Sequence, residues 1–161
     1  MTIEGDYQDF AHLETIYLGI LARQSRIATN VRRVVKAANG KPVLFFPARY
    51  DIYQTQESDG YAAKIGGIKG FSTDANAKSS NGRGLGTIPH ALIASYNGDT
   101  VAATSAFDKY VDPSIARIAL VDFDNDCVNT SLAVARKLGK KLAGVRLDTS
   151  GSMVDKSLFL V

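Results

Sequence analysis

Residues 116–149, "ARIALVDFDNDCVNTSLAVARKLGKKLAGVRLDT", constrain the fold more than any other part of the chain. "ARIALVDF" (116–123) is a continuous apolar run, the pattern of a strand buried on both faces. "NDCVNTSLAVARKLG" (125–139) spaces Val128, Leu132, Ala135 and Leu138 along one helical face, and Gly139 supplies a stop. "KLAGVRLDT" (141–149) then returns to strand. A crossover that contains a helix brings the second strand back parallel to the first. The segment therefore predicts an α/β fold with a parallel sheet.

The rest of the chain fits that class. Residues 6–38 read as helix, with Phe10, Leu13, Ile16, Tyr17, Ile20 and Leu21 at three- and four-residue intervals. Val31, Val34, Val35 and Ala38 continue the pattern until "NGK" (39–41) stops it. "PVLFF" (42–46) is a further strand candidate, again with the look of one buried on both faces. "DGYAAKI" (59–65) looks helical, and "GGIKGFST" (66–73) reads as turn, short strand and turn. "HALIASY" and "TVAATSAFDKY" are short helix candidates. No repeat, low-complexity tract or long linker divides the 161 residues, which fit a single domain.

Composition excludes several classes. A hydrophobic content of 45% with 22% charged residues belongs to a globular chain, not a disordered one. No apolar run approaches the ~20 residues that span a bilayer. The start "MTIEGDYQDF" lacks the basic and apolar regions of a signal peptide. Cys127 is the single cysteine, so no intrachain disulfide forms, which suits a reducing compartment. Together these features predict a cytoplasmic protein with no membrane partner. The net charge of +3 is mild and its basic residues are scattered, so no nucleic-acid stripe is expected. "RKLGKK" (136–141) is the densest cluster and reads as basic residues complementing the end of a helix.

The polar residues are placed more selectively. Ligands of parallel α/β folds sit at the carboxyl ends of the strands. Three candidate strands here run out into charged residues: Arg49 after "LFFPAR", Asp122 in "ALVD", and Arg146 and Asp148 in "GVRLD". A fourth element joins them, the stretch "GRGLGTIPHALIASY" (82–96). Gly82, Gly84 and Gly86 suggest backbone brought close to something. Thr87 suits an N-cap, Pro89 a first helical turn, and His90 would lie among the unpaired amides of a helix start, which favour anions. Bland readings fit the same residues: a turn-to-helix junction with a surface histidine, an Arg146–Asp148 pair across a strand end, and Asp122 as a cap for the helix near Asn125. His12 reads as a packed or surface residue of the first helix, and neither a His/Cys metal cluster nor a Ser–His–Asp triad is present.

At these residues the chain resembles the nicotinate phosphoribosyltransferase family. "TIEGDYQDFAHLETIYLGILARQSRIAT", "DGYAAKIGG", "GTIPHALI", "ALVDFDND" and "GVRLDTSG" occur in the order that family shows, and the pairing of "GTIPHALI" with "VRLDTSG" is the most specific element. The resemblance covers the whole chain but only the middle of the family's chain. It implies part of an irregular type II phosphoribosyltransferase α/β barrel, with an N-terminal portion and C-terminal barrel strands lying outside these residues. The implied reaction transfers phosphoribose from phosphoribosyl pyrophosphate to nicotinate, with magnesium, for NAD salvage. ATP is implied as a co-substrate through a phosphorylated histidine, which falls on His90. Catalytic roles are also implied for Asp122 and Asp148, and substrate contacts for Arg49, Thr87 and Arg146. A homo-oligomer is expected at full length, and the 161 residues alone are expected to be inactive. Ile52, in "ARYDIYQ", stands where many members of the family carry a histidine, which leaves the detail around Arg49 open.

The residue types suit that chemistry. Carboxylates stabilise oxocarbenium character on the ribose, while magnesium and arginines stabilise the leaving pyrophosphate. A guanidinium matches the fork of the nicotinate carboxylate. A histidine accepts a phosphoryl group as nucleophile. Two alternatives stand beside this reading. One is quinolinate phosphoribosyltransferase, whose dicarboxylate calls for a richer basic pocket. The other is a non-catalytic barrel fragment acting only through association, for which open strand edges would be the cause.

Overall fold

The computed structural model describes residues 2–153, which form two compact units divided between Leu85 and Gly86. The first unit opens with helix α1 (Tyr7–Phe10), a 3-10 turn at Ala11–Leu13 and the long helix α2 (Glu14–Ala37). Strand β1 (Leu44–Phe45), α3 (Gln56–Gly66), β2 (Gly70–Phe71) and the short α4 (Asp74–Ala77) complete it. The second unit holds α5 (His90–Ser95), α6 (Thr100–Tyr110), β3 (Arg117–Leu120), α7 (Cys127–Leu138) and β4 (Leu142–Arg146). Both strand pairs are parallel, β1 with β2 and β3 with β4. The expected β3–α7–β4 unit is present, with Leu120 opposite Arg146 at the carboxyl end.

In the first unit the core is Val31, Ala63, Ile68, Phe71 and Ala77, edged by Ile27, Val35, Val43 and Phe45. Its tightest point is Gly60, where an added Cβ would lie 2.7 Å from the carbonyl carbon of Asn76 and 2.8 Å from its Cα. A side chain at residue 60 would force α3 and α4 apart. The apolar row at the start of α2 is not part of this core. Leu13, Ile16, Ile20 and Leu21 are exposed, and Val31 alone of α2 is buried. β1 likewise departs from expectation, being two residues long with Leu44 exposed and Phe45 half-buried. It pairs with β2 alone among the described residues, and only Phe45 of its two side chains packs against the core.

An ion network braces the same unit. Arg23 Nε donates to Asp59 Oδ1 at 2.9 Å, and Nη2 donates to Asp59 Oδ2 at 2.6 Å and to Asp51 Oδ1 at 3.0 Å. The Asp59 side chain is fully buried. Burial pushes its pKa up, but the fork of Arg23 outweighs burial and holds the carboxyl below its ordinary value of 3.8.

In the second unit, β3 is lined on one side by Cys127, Val134 and Leu138 of α7 and on the other by Ile88, Ile93 and Ala103. Here the helix face differs from the one read in the sequence. Cys127, Val134 and Leu138 are buried, whereas Val128 and Leu132 are exposed. Both sets have helical spacing, and only the turn of α7 about its axis, set by its Asp126 cap, separates them. The Asp126 side chain accepts the Asn129 amide, so Asp122 is not the cap of this helix. Arg117, at the start of β3, is buried and donates to Asp108 Oδ1 and to the carbonyls of Asp108, Val111, Asp112 and Ile115. One guanidinium thus satisfies a carbonyl in the last turn of α6 and three more in the chain that follows it.

Candidate active site

The residues before α5 begin as extended chain. The Ile88 amide donates to the Ile118 carbonyl at 3.2 Å, which lays residue 88 along β3. A residue before proline is kept out of the helical region, and Pro89 itself is extended, at φ −88° and ψ 156°. The helix therefore starts at His90, and Thr87 is not its cap. The Thr87 hydroxyl instead accepts Arg146 Nη1 at 2.7 Å. Of the three glycines upstream, Gly84 makes the close approach expected, while Gly82 has only ordinary contacts. An added Cβ on Gly84 would meet the Thr73 backbone at 2.6 Å, so this glycine admits the chain's own backbone. Gly86 has open space around it. With six residues, α5 contributes only a small dipole, so the environment of His90 is set by side chains.

Those side chains converge. Asp122 follows β3 and its carboxylate is almost wholly buried, with 2% of the side chain exposed. Oδ2 accepts the Asp148 amide at 2.7 Å and the Thr149 hydroxyl at 2.9 Å, and Oδ1 lies 3.1 Å from His90 Nε2. Burial pushes the Asp122 pKa up; the Asp148 amide, Thr149 and His90 together pull it down further, leaving it below the ordinary 3.8. An ionised carboxylate only accepts hydrogen bonds, so Nε2 is the protonated ring nitrogen of His90, and the lone pair of the neutral ring falls on Nδ1. The imidazole is 42% exposed and tilted against Phe123, with ring centroids 6.2 Å apart. It is accessible on one side and anchored on the other.

Arg146, the last residue of β4, extends the network. Its Nη1 donates to Thr87 and its Nη2 pairs with Asp148 Oδ1 at 3.0 Å. The pairing across the strand end is therefore real, and it also orients the guanidinium plane. Thr87, His90, Asp122, Arg146 and Asp148 form one connected set in the second unit. Arg49 belongs to the first unit, in the exposed turn after β1. Thr149 is the member that residue-type reasoning passed over: it stands inside "RLDTSG", but a threonine after a strand carries no chemical signature of its own. A protein-held magnesium does not fit this donor set. Both oxygens of Asp122 are committed, and among the described residues no group of three or more His, Cys, Asp or Glu side chains is placed to hold a metal.

No family model matches the chain. A nicotinate phosphoribosyltransferase of Mycobacterium tuberculosis is 29% identical over 158 residues, covering 92% of this chain and 34% of the relative. The nicotinate phosphoribosyltransferase of Bacillus subtilis is 27% identical over 159 residues, covering 92% and 31%. The chain is related in sequence to the nicotinate phosphoribosyltransferases. It spans about a third of the length of these relatives. The crystal structure of nicotinate-nucleotide pyrophosphorylase from Pyrococcus furiosus superposes with a TM-score of 0.74 at 40% identity, over 81% of this chain and 33% of that one. The parallel α/β arrangement is thus shared with a phosphoribosyltransferase-type fold. Among the described residues no helix is long and apolar enough to cross a membrane.

Proposed function

We propose that the chain is a segment of the catalytic barrel of a nicotinate phosphoribosyltransferase, and that His90 is a phosphoryl acceptor from ATP. The observation that carries this reading is the His90–Asp122 contact of 3.1 Å, which leaves the lone pair of a half-exposed neutral imidazole on Nδ1. In the step we infer, Nδ1 forms a bond to the γ-phosphorus as the bond from that phosphorus to the bridging oxygen of ADP breaks. ADP leaves with the electron pair. The ring keeps its Nε2 proton and becomes an imidazolium, whose charge the Asp122 carboxylate offsets.

The transfer step uses the rest of the network. Asp148 is assigned, by resemblance to the family, the carboxylate that offsets oxocarbenium character on the ribose of phosphoribosyl pyrophosphate. Arg146, oriented by Thr87 and Asp148, is assigned by the same resemblance a contact to the nicotinate carboxylate or to phosphate oxygens. Arg49 is assigned a substrate contact by resemblance to the family. Magnesium enters this scheme as part of the pyrophosphate substrate, and no step is routed through it.

The reading is tested with γ-labelled ATP on the full-length protein. Acid-labile label is expected on the wild type, and none on His90→Ala. Label persisting in the variant, or a wild type that takes none, would remove the phosphoacceptor role. A second reading, transfer to a pyridine dicarboxylate such as quinolinate, is favoured by the structural likeness to the pyrophosphorylase. Turnover with quinolinate but not nicotinate would select it.

A further inference from the structure

Asp122 governs His90 only if its carboxylate is held in one orientation, and three donors share that carboxylate unequally. The Asp148 amide and the Thr149 hydroxyl both bind Oδ2, which leaves Oδ1 for the imidazole. The amide is backbone and survives any substitution. Among the described residues Thr149 is the one side chain, apart from His90 itself, that donates to the carboxylate. It follows β4 by three residues, so its position is inherited from the strand that also carries Arg146.

We infer that Thr149 is a positioning residue: by pinning Oδ2 it turns Oδ1 onto Nε2 and thereby selects the ring nitrogen that His90 presents. The hydroxyl has a second lock in its favour, because a buried carboxylate oxygen with two donors resists rotation more than one with a single donor. Without the hydroxyl, Oδ2 keeps only the Asp148 amide, and Asp122 turns more easily about its side-chain torsions and meets His90 less directly. The imidazole then samples both neutral tautomers, and the lone pair divides between Nδ1 and Nε2. The inference deepens the phosphoacceptor reading, since it names the nitrogen, but it concerns the resting ring and needs neither ATP nor substrate.

The test is 15N NMR of the ring nitrogens in the 161-residue chain, labelled at histidine. The sequence has two histidines, so His12→Gln assigns the His90 signals. Wild-type His90, with its ring neutral, is expected to show a pyrrole-like Nε2 and a pyridine-like Nδ1, with the Nε2–H form in about tenfold excess. Thr149→Val should lower that ratio about threefold or more, and Thr149→Ser, which restores the hydroxyl, should return it. The amide spectrum of each variant reports whether it is folded. If Thr149→Val disrupts the fold, the Thr149→Ser and Thr149→Ala pair decides: a ratio that is the same in both overturns the inference. So does a mixed tautomer in the wild type, or a folded Thr149→Val with the wild-type ratio. Loss of ATP labelling with an intact tautomer preference would count against the phosphoacceptor reading alone.

Discussion

Asp122→Ala is expected to destabilise the protein by about 3 kcal/mol at neutral pH, because it removes a charged acceptor and strands its donors. The Asp148 amide and Thr149 hydroxyl would lose their shared partner, and His90 its anchor. The loss should depend on pH in a definite direction. Folding lowers the Asp122 pKa below its ordinary 3.8, so its contribution is present above that value and fades as the pH falls through the folded one. The gap between wild type and variant should therefore be widest at neutral pH and narrow in acid. Urea denaturation of both proteins across pH 3–7 measures it, with any chosen buffer held at about constant ionic strength. A gap that stays constant through the acid range would mean that the carboxylate is not stabilised in its charged form.

A second large effect is expected in the first unit. Arg23→Met keeps an apolar stem but leaves the fully buried Asp59 without its guanidinium. Breaking a buried pair costs about 3–5 kcal/mol; with 36% of the Arg23 side chain exposed, solvent screens part of this, and about 2–3 kcal/mol is expected. The more telling outcome is a change of sign. In the wild type Asp59 titrates below its ordinary value, so its share of stability is lost on acidification. In the variant burial, the largest influence on Asp59, is opposed only by the hydrogen bonds of Thr55 and Gln24 and raises the pKa, so stability from this group is present at low pH and lost as the pH rises. The slope of stability against pH between about 4 and 6 should thus tilt toward acid relative to wild type. An unchanged slope would show that Gln24, which already donates to Asp59 Oδ1, or solvent replaces Arg23.

The site was legible in the sequence to the extent that strand ends fix side chains. Asp122, Arg146 and Asp148 lie within two residues of the carboxyl ends of β3 and β4, and parallel pairing brings those ends together. His90 was legible as a position but for a different reason from the one that holds it. Its surroundings come from a long-range contact with Asp122, 32 residues away, and not from a cap or a dipole. Thr87 failed as a cap because Pro89 delays the helix, a steric effect that the bare composition of the turn hides. The helix faces were ambiguous for a plainer reason. On α7 two apolar sets, Cys127 with Val134 and Val128 with Leu132, both have helical spacing, and periodicity alone assigns neither to the core. On α2 the periodic row is real but lies mostly outside the packing of its own unit, which no local pattern reveals.

The buried cysteine at the start of α7 gives the molecule a built-in reporter. Cys127 is the single thiol of the sequence, and it is closed in by Ala119, Val121, Val134 and Leu138. A thiol reagent has one target, and reaches it only in conformers where α7 has lifted from β3. At saturating reagent the modification rate becomes the opening rate of the strand–helix–strand unit; at low reagent it gives the equilibrium population of the open form. The segment that positions Asp122 and Arg146 can therefore be timed separately from the rest of the chain, without introducing any label.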